Sequence, residues 1–395
     1  MTAADRWLLP DGIEEILPNQ AFRVESLRRQ VLDLYHSWGY DLVIPPLVEF
    51  TDSLLSGTGS DLDLMTFKVT DQISGRMMGV RADMTPQTSR MDAHSLRRNG
   101  PSRLCYTGTV LYTKPRYPLA SRAPIQIGVE LYGEAGLDAD IEVISLMVET
   151  LRLAGLEKPQ LDLGHVGIYG NLLEDAGLTK DQESMLFDLL QRKSIPELDT
   201  WITDNIEDSA SATMIRALVD LSGDESVLDR ARELFAEAPA EVELALDELQ
   251  AVVDALKLSS PDSELYLDLS ELRGYHYHTG VVFAAYAPGV GQAIGNGGRY
   301  DHVGEAFGRS RPATGFNMSL QALVRISNSM DHIPSGIFVP ATEHASSDQQ
   351  KAIAELRKNG ERVVSGFPGQ EPDYQELHCD RQLLFVNGEF KVTAV

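Results

Sequence analysis

The chain reads as an α+β protein: an antiparallel sheet flanked by helices, interrupted by a helical insertion and followed by a small C-terminal α/β domain. Three observations point to this. Two β-rich runs, Leu104 to Thr113 and Ile125 to Tyr132, flank a connection rich in Pro, Arg and Lys, the pattern of an antiparallel pair joined by a long loop. From Leu172 to Leu258 the composition turns acidic and the apolar residues take helical spacing. Towards the end, short apolar runs alternate with one helical segment, and Asn387-Gly388 between LLFV and EFKV is a two-residue hairpin signal.

Each element follows from local chemistry. Val24, Leu27, Val31, Leu34 and Trp38 share one helical stripe, which Gly39 stops. Tyr40 to Phe50 is a β-type run interrupted by Pro45 and Pro46, which lack an amide donor, so it belongs at an edge or an interface. Pro86, with Gln87 to Arg97, opens a helix, and Asp83 or Thr85 is either its cap or part of a site. Ile141, Ile144, Met147, Val148 and Leu151 mark the next helix, and Leu161 with Leu163 a short strand. In the insertion, Thr179 and Gln182 form a capping-box pattern, Met185, Leu186, Leu189 and Leu190 one stripe, and Val242, Leu246, Leu249, Val253 and Leu256 another. Gly291 to Tyr300 matches neither a P-loop nor a dinucleotide fingerprint and reads as a tight connection between strands. The expected domains are 1–171 with 263–330, the insertion 172–262, and 331–395.

Composition excludes several functions. The 34 basic and 59 acidic residues give a formal net charge of -25, which opposes non-specific attraction to phosphate backbones, although Lys114 to Arg122 is a local basic loop able to take an anion. Two cysteines, Cys105 and Cys379, are too few for a disulfide framework and fit a reducing cytoplasm. No apolar run approaches the roughly 20 residues of a membrane span. His276 and His278 alternate, but no further ligands of fitting spacing follow, so no metal is expected.

The second β run carries the chemistry. Ile125, Ile127, Val129 and Leu131 alternate with Gln126, Gly128, Glu130 and Tyr132, which puts an amide and a carboxylate on one face with a glycine between them. That face is either a solvated sheet surface or the floor of a site for a small cation.

Taken together, these stretches resemble the catalytic domain of class II aminoacyl-tRNA synthetases, specifically the histidyl branch, over about the first 325 residues apart from the insertion. Ile44-Pro45-Pro46 is similar to the dimer-forming first class motif, Gln126-Ile-Gly-Val-Glu130 to the second, and GFNMSLQAL from Gly315 to the third. Arg273-Gly-Tyr-His-Tyr277-His-Thr-Gly280 and Gly297-Gly-Arg-Tyr-Asp301 resemble the two histidine-branch signatures. The resemblance implies a histidine pocket: Asp83 and Thr85 near the α-amino group, Gln126 and Glu130 holding the amino group and the imidazole side, and Arg273 approaching the carboxylate. Tyr277, His278 and Tyr300 fall at the aromatic positions around the side chain, with His278 in place of the usual tyrosine.

The ATP machinery departs from the pattern. Tyr112 stands where the family has its α-phosphate arginine, Lys114 where it has a glutamate, and Ala322 where it has a second ATP arginine. Losing fixed cations of this kind removes orders of magnitude in rate. A synthetase-like body with a histidine pocket and no ATP clamp resembles the regulatory subunits of ATP phosphoribosyltransferase. That resemblance implies a non-catalytic, cytoplasmic protein with no cofactor of its own, magnesium being expected only at the partner. It also implies self-dimerisation through the first-motif region, assembly with the short-form catalytic subunit as a hetero-octamer, and allosteric feedback by histidine, without tRNA or membrane. The alternatives are a degenerate histidyl-tRNA synthetase or an ATP-dependent histidine ligase, using Lys114 and Arg122 in place of the missing arginines, and a tRNA-binding module without catalysis.

Overall fold

The computed structural model describes residues 7–57, 60–118, 120–271, 274–275, 277–327, 335–341 and 347–395. The chain divides into two compact units, Met1–Glu15 with Val24–Ser327 and Ile16–Arg23 with Asn328–Val395.

Helix α1 (Pro18–Ser37) buries Val24, Leu27, Val31 and Tyr35 and is followed by Gly39 at φ 84°, in the left-handed region that favours glycine. Strand β1 (Asp41–Leu42) precedes the two prolines, and β2 (Val48–Phe50) follows them. Strands β3 (Phe67–Thr70) and β4 (Met77–Val80) complete a small antiparallel sheet in the order β2-β4-β3. Helix α2 (Thr85–Arg90) runs on into a π-helical turn, Met91–Leu96, which Arg97 ends at φ 50°. Buried Asp92 in that turn pairs with buried Arg311, which also donates to the carbonyls of Arg98 and Gly100.

The alternating hairpin forms β5 (Ser102–Thr109) and β6 (Ile125–Tyr132). Helix α3 (Leu137–Leu153) and β7 (Gln160–His165) follow. The acidic region folds into helices α4 (Val166–Ala176), α5 (Lys180–Gln191), α6 (Ile195–Asn205), α7 (Ser209–Ala217), α8 (Ser226–Leu234) and α9 (Ala240–Ser259), with the two-residue β8 (Ser222–Gly223) before α8. Thr179 and Gln182 make both halves of the capping box, and Leu186, Leu189 and Leu190 are buried. Met185, read as part of that stripe, is exposed instead: it lies at the margin of the apolar face.

Strands β9 (Glu264–Asp268), β10 (Val281–Tyr286), β11 (Gly295–Arg299) and β12 (Ala313–Ser319) complete a nine-stranded sheet in the order β1-β5-β6-β12-β11-β10-β7-β9-β8. Its middle, from β5 to β7, is antiparallel throughout, and parallel pairs occur at β1·β5 and β7·β9.

Strand β11 corrects the expectation of a tight connection, because Gly295–Arg299, half of the glycine-rich stretch, lies inside the sheet. A Cβ on Gly297 would stand 2.4 Å from the Gly315 carbonyl oxygen, and one on Gly298 would stand 2.7 Å from the His278 ring. These glycines allow close approach rather than a turn.

In the second unit, β13 (Gly336–Val339), β14 (Val363–Ser365), β15 (Cys379–Val386) and β16 (Glu389–Ala394) form a sheet in the order β14-β13-β15-β16. Its core gathers Ile337, Val339 and Leu383 with Ile353 and Leu356 of helix Ser347–Lys358. Asn387 and Gly388 both have positive φ, as a type I′ hairpin turn requires. Among the described residues, no helix is long and apolar enough to cross a membrane.

Candidate functional site

Glu130, on the central strand β6, is 1% exposed. Its Oε1 accepts hydrogen bonds from Thr85 Oγ1 (2.7 Å) and the Tyr106 hydroxyl (2.9 Å), and its Oε2 accepts from the Tyr300 hydroxyl. Burial pushes this carboxyl up to about 8, although the bonds from Tyr300, Thr85 and Tyr106 favour its charged form. Burial also raises the Tyr106 and Tyr300 phenols well above their ordinary value, so both stay protonated and act as donors. A buried carboxyl with its donors in place and no ion-pair partner among the described residues is suited to a cationic or imidazole partner.

The sheet seats these groups closely. A Cβ on Gly315 would fall 1.8 Å from Glu130 Oε2, so the carboxyl lies across a strand that has no side chain at that point. Gly128 similarly admits the Tyr106 hydroxyl, which fills the gap the sequence leaves between Gln126 and Glu130. The face is therefore a buried floor and not a solvated surface.

At the start of α2, Asp83 Oδ1 accepts from the amides of Met84 (2.7 Å) and Thr85 (3.3 Å) and from Gln126 Nε2 (3.0 Å). Asp83 thus acts as a helix-end acceptor, whereas Thr85 spends its hydroxyl on Glu130. The same helix reaches away from the site: Gln87 donates to the Pro46 carbonyl and to Glu49, and Arg90 pairs with Glu49 at 2.8 Å.

Asp83, Thr85, Glu130, Tyr277, His278 and Tyr300 line one cavity of about 790 Å³. Tyr277 and Tyr300 lie with ring centres 5.1 Å apart, and His278 meets Tyr277 edge-on at 5.3 Å. The buried Tyr277 hydroxyl has no hydrogen-bond partner among the described residues, a costly state that a ligand acceptor would relieve. Gln126 lines a second, smaller pocket of about 120 Å³ instead. Arg273 lies outside the described residues, as does His276.

Tyr112 and Ala322 line the smaller pocket, where the resemblance implies ATP arginines. Lys114 lines the large cavity. Arg122 lines neither, because its guanidinium donates to the carbonyls of Tyr112 (3.0 Å) and Asp11 (3.0 Å). Among the wall residues that sequence reasoning missed are Phe187 from helix α5 of the insertion, and Asn296 and Asn317 from β11 and β12. The asparagines stood in quoted motifs, but only the strand register reveals that they face the cavity.

The family model described as "Histidyl-tRNA synthetase" matches residues 12–323, and the one described as "ATP phosphoribosyltransferase subunit HisZ C-terminal domain" matches residues 334–393. The ATP phosphoribosyltransferase regulatory subunit of Saccharophagus degradans is 56% identical over 396 residues, covering 100% of each chain. The chain belongs to the ATP phosphoribosyltransferase regulatory subunit family. It is a regulatory subunit of histidine biosynthesis and is not itself catalytic. A solved structure named as an ATP phosphoribosyltransferase regulatory subunit/histidyl-tRNA synthetase, from Bacillus halodurans, matches with TM-score 0.83 at 27% identity over 94% of this chain and 95% of that one. Histidyl-tRNA synthetase from Nostoc sp. PCC 7120 matches with TM-score 0.80 at 17% identity over 98% of this chain and 97% of that one, a likeness of fold. The class II synthetase-like fold expected from the motifs is the fold observed.

Proposed function

We propose that this subunit binds free histidine in the large cavity and thereby inhibits a short-form ATP phosphoribosyltransferase catalytic subunit that it otherwise activates, in the cytoplasm. The observation that carries the reading is Glu130: a fully buried carboxyl with three hydroxyl donors, in a cavity walled by Tyr277, His278 and Tyr300. Asp83, Thr85 and Gln126 take the amino end, and the resemblance adds Arg273 on the carboxylate. Histidine acts through its differential affinity for two quaternary states, and a coupling of about 1–3 kcal/mol, or roughly 5- to 150-fold, suffices.

Assembly is proposed as a hetero-octamer in which this chain self-dimerises through the Pro45-Pro46 region. Supporting this, Ile44 is 80% and Leu47 53% exposed, an apolar edge that a partner copy would cover. Magnesium belongs to the catalytic subunit, and with a net charge of -25 tRNA is not a partner.

The test is reconstitution with the short-form catalytic subunit and an assay of phosphoribosyl transfer with and without histidine. Activation that histidine reverses is expected for the wild type. Glu130→Ala should activate and no longer respond to histidine. Normal inhibition of that variant would overturn the site, and histidine-dependent pyrophosphate exchange by the isolated chain would favour the ligase reading.

A further inference from the structure

The turn that carries the aromatic wall of the large cavity is held by the helical insertion. The amides of Tyr277 (2.7 Å) and His278 (2.8 Å) both donate to the Gly274 carbonyl, which folds the backbone tightly. Gly274, at φ 67°, suits this left-handed turn, where a Cβ would stand 2.6 Å from His278 Nδ1. Tyr275, inside the turn, meets the insertion. Its ring lies edge-on to Tyr169 of α4 with centres 4.9 Å apart, and 6.0 Å from Phe187 of α5. At its far end the turn is tied again, because the Gly280 carbonyl accepts from the Val166 amide (3.1 Å) at the start of α4.

The grip is anchored on both sides. Tyr169 is fully buried, and its hydroxyl donates to the Glu183 carbonyl (3.4 Å), which ties α4 to α5. Just beyond α5, Lys193 pairs with Asp268 of β9 at 2.8 Å. Towards the site, the Tyr277 ring lies 5.1 Å from Tyr300, whose hydroxyl donates to Glu130. Tyr275 and Phe187 also line the large cavity beside Tyr277 and His278. Packed aromatic rings therefore lead from the Glu130 carboxyl through Tyr300 and Tyr277 to the turn, and from Tyr275 into α4 and α5. Such pairs are worth more than the area they bury, and close packing passes a displacement from one element to the next.

We propose that the insertion is the outer jaw of the cavity and that Tyr275 is its positioning residue, an assignment that rests on reading the cavity as a histidine site. Tyr169 and Phe187 grip Tyr275, and Tyr275 sets Tyr277 and His278 against the ligand. Coupling between two elements is reciprocal, so bound histidine restrains α5 in return. The insertion is thus the part of the chain whose motion reports occupancy.

The test is amide hydrogen exchange of the full chain with and without saturating L-histidine, joined to calorimetric titration. In the wild type, histidine should slow exchange in α5 by about threefold or more, and by more than in α8, which adds no wall residue to the cavity among those described. Tyr275→Ala should weaken histidine by about tenfold, and at saturation its α5 should exchange as in the free protein. Tyr275→Phe keeps both ring contacts and should stay within about twofold of the wild type in affinity, with the slowing retained. Wild-type affinity in Tyr275→Ala, or equal slowing of α5 and α8 in the wild type, would overturn the jaw and leave the histidine site standing. The wild-type comparison decides the matter even if Tyr275→Ala fails to fold. Absence of histidine binding to the wild type would instead overturn the site itself, and the jaw with it.

Discussion

The two hollows of this cleft share strands β6, β11 and β12, yet they differ in what their polar groups are free to do. In the large cavity, among the described residues, Glu130 has its donors but no counter-charge and the Tyr277 hydroxyl is unpartnered, and glycines keep the floor low. In the smaller pocket, Tyr112 and Ala322 stand where the resemblance implies arginines, and neighbouring Arg122 is committed to carbonyls of its own chain. The volumes differ as well, about 790 against 120 Å³. The smaller pocket still carries Arg116 and Arg325 on its wall, so the two hollows differ in where their charges stand, with no change of strand order.

Four experiments bear on this contrast, taken from the largest expected effect to the smallest. Glu130→Ala removes the acceptor at the centre of the large cavity, and calorimetry should show histidine affinity falling by about a hundredfold, from the loss of charge-assisted hydrogen bonds. A loss below about threefold would move the site elsewhere.

The second concerns protons. Below about 8 the empty site holds a proton on Glu130, and above about 6.5 free histidine carries none on its ring. The complex needs one proton between the two groups. Affinity should therefore be level between these limits and fall by up to about tenfold per pH unit on either side. A profile that keeps rising past pH 9 would contradict a single shared proton.

Third, the same group affects folding. Because its folded value is raised, Glu130 contributes stability that is fully present below about 4.5 and is lost as pH climbs through about 8. Glu130→Gln should melt higher than the wild type at pH 8.5, by an effect on the order of a few kcal/mol, and the two should converge at pH 5. Equal melting temperatures at both pH values would refute the burial argument. Last, Ala322→Arg alters only the small pocket, so histidine affinity should change by less than about twofold. A larger change would mean that the two hollows are energetically one.

Much of the fold was legible because its signals are local. The alternation of Ile125 to Tyr132, the capping box at Thr179 and the turn at Asn387-Gly388 each depend on neighbours a few residues away, and each stands as read. Strand β11 was not legible. Glycines at 297 and 298 score as turn formers in isolation, and only the approach of Gly315, Phe283 and His278 explains them within a sheet. Asn296, Asn317 and Phe187 escaped notice for the same reason, since the register, and the packing of the insertion, decide which way they face. Asp83 was ambiguous between cap and site; Met84 is the N-cap of α2, and Asp83, one residue before it, accepts from the Met84 amide and from Gln126 while lining the large cavity.

Gly315 shows how narrow the margin of this sensor is. With Glu130 Oε2 1.8 Å from where a methyl would begin, no alanine fits without displacing the carboxyl. On the proposed function, one nucleotide change at this codon would leave cells making histidine without a brake. Colonies selected for overproduction of the amino acid are a natural place to find that allele.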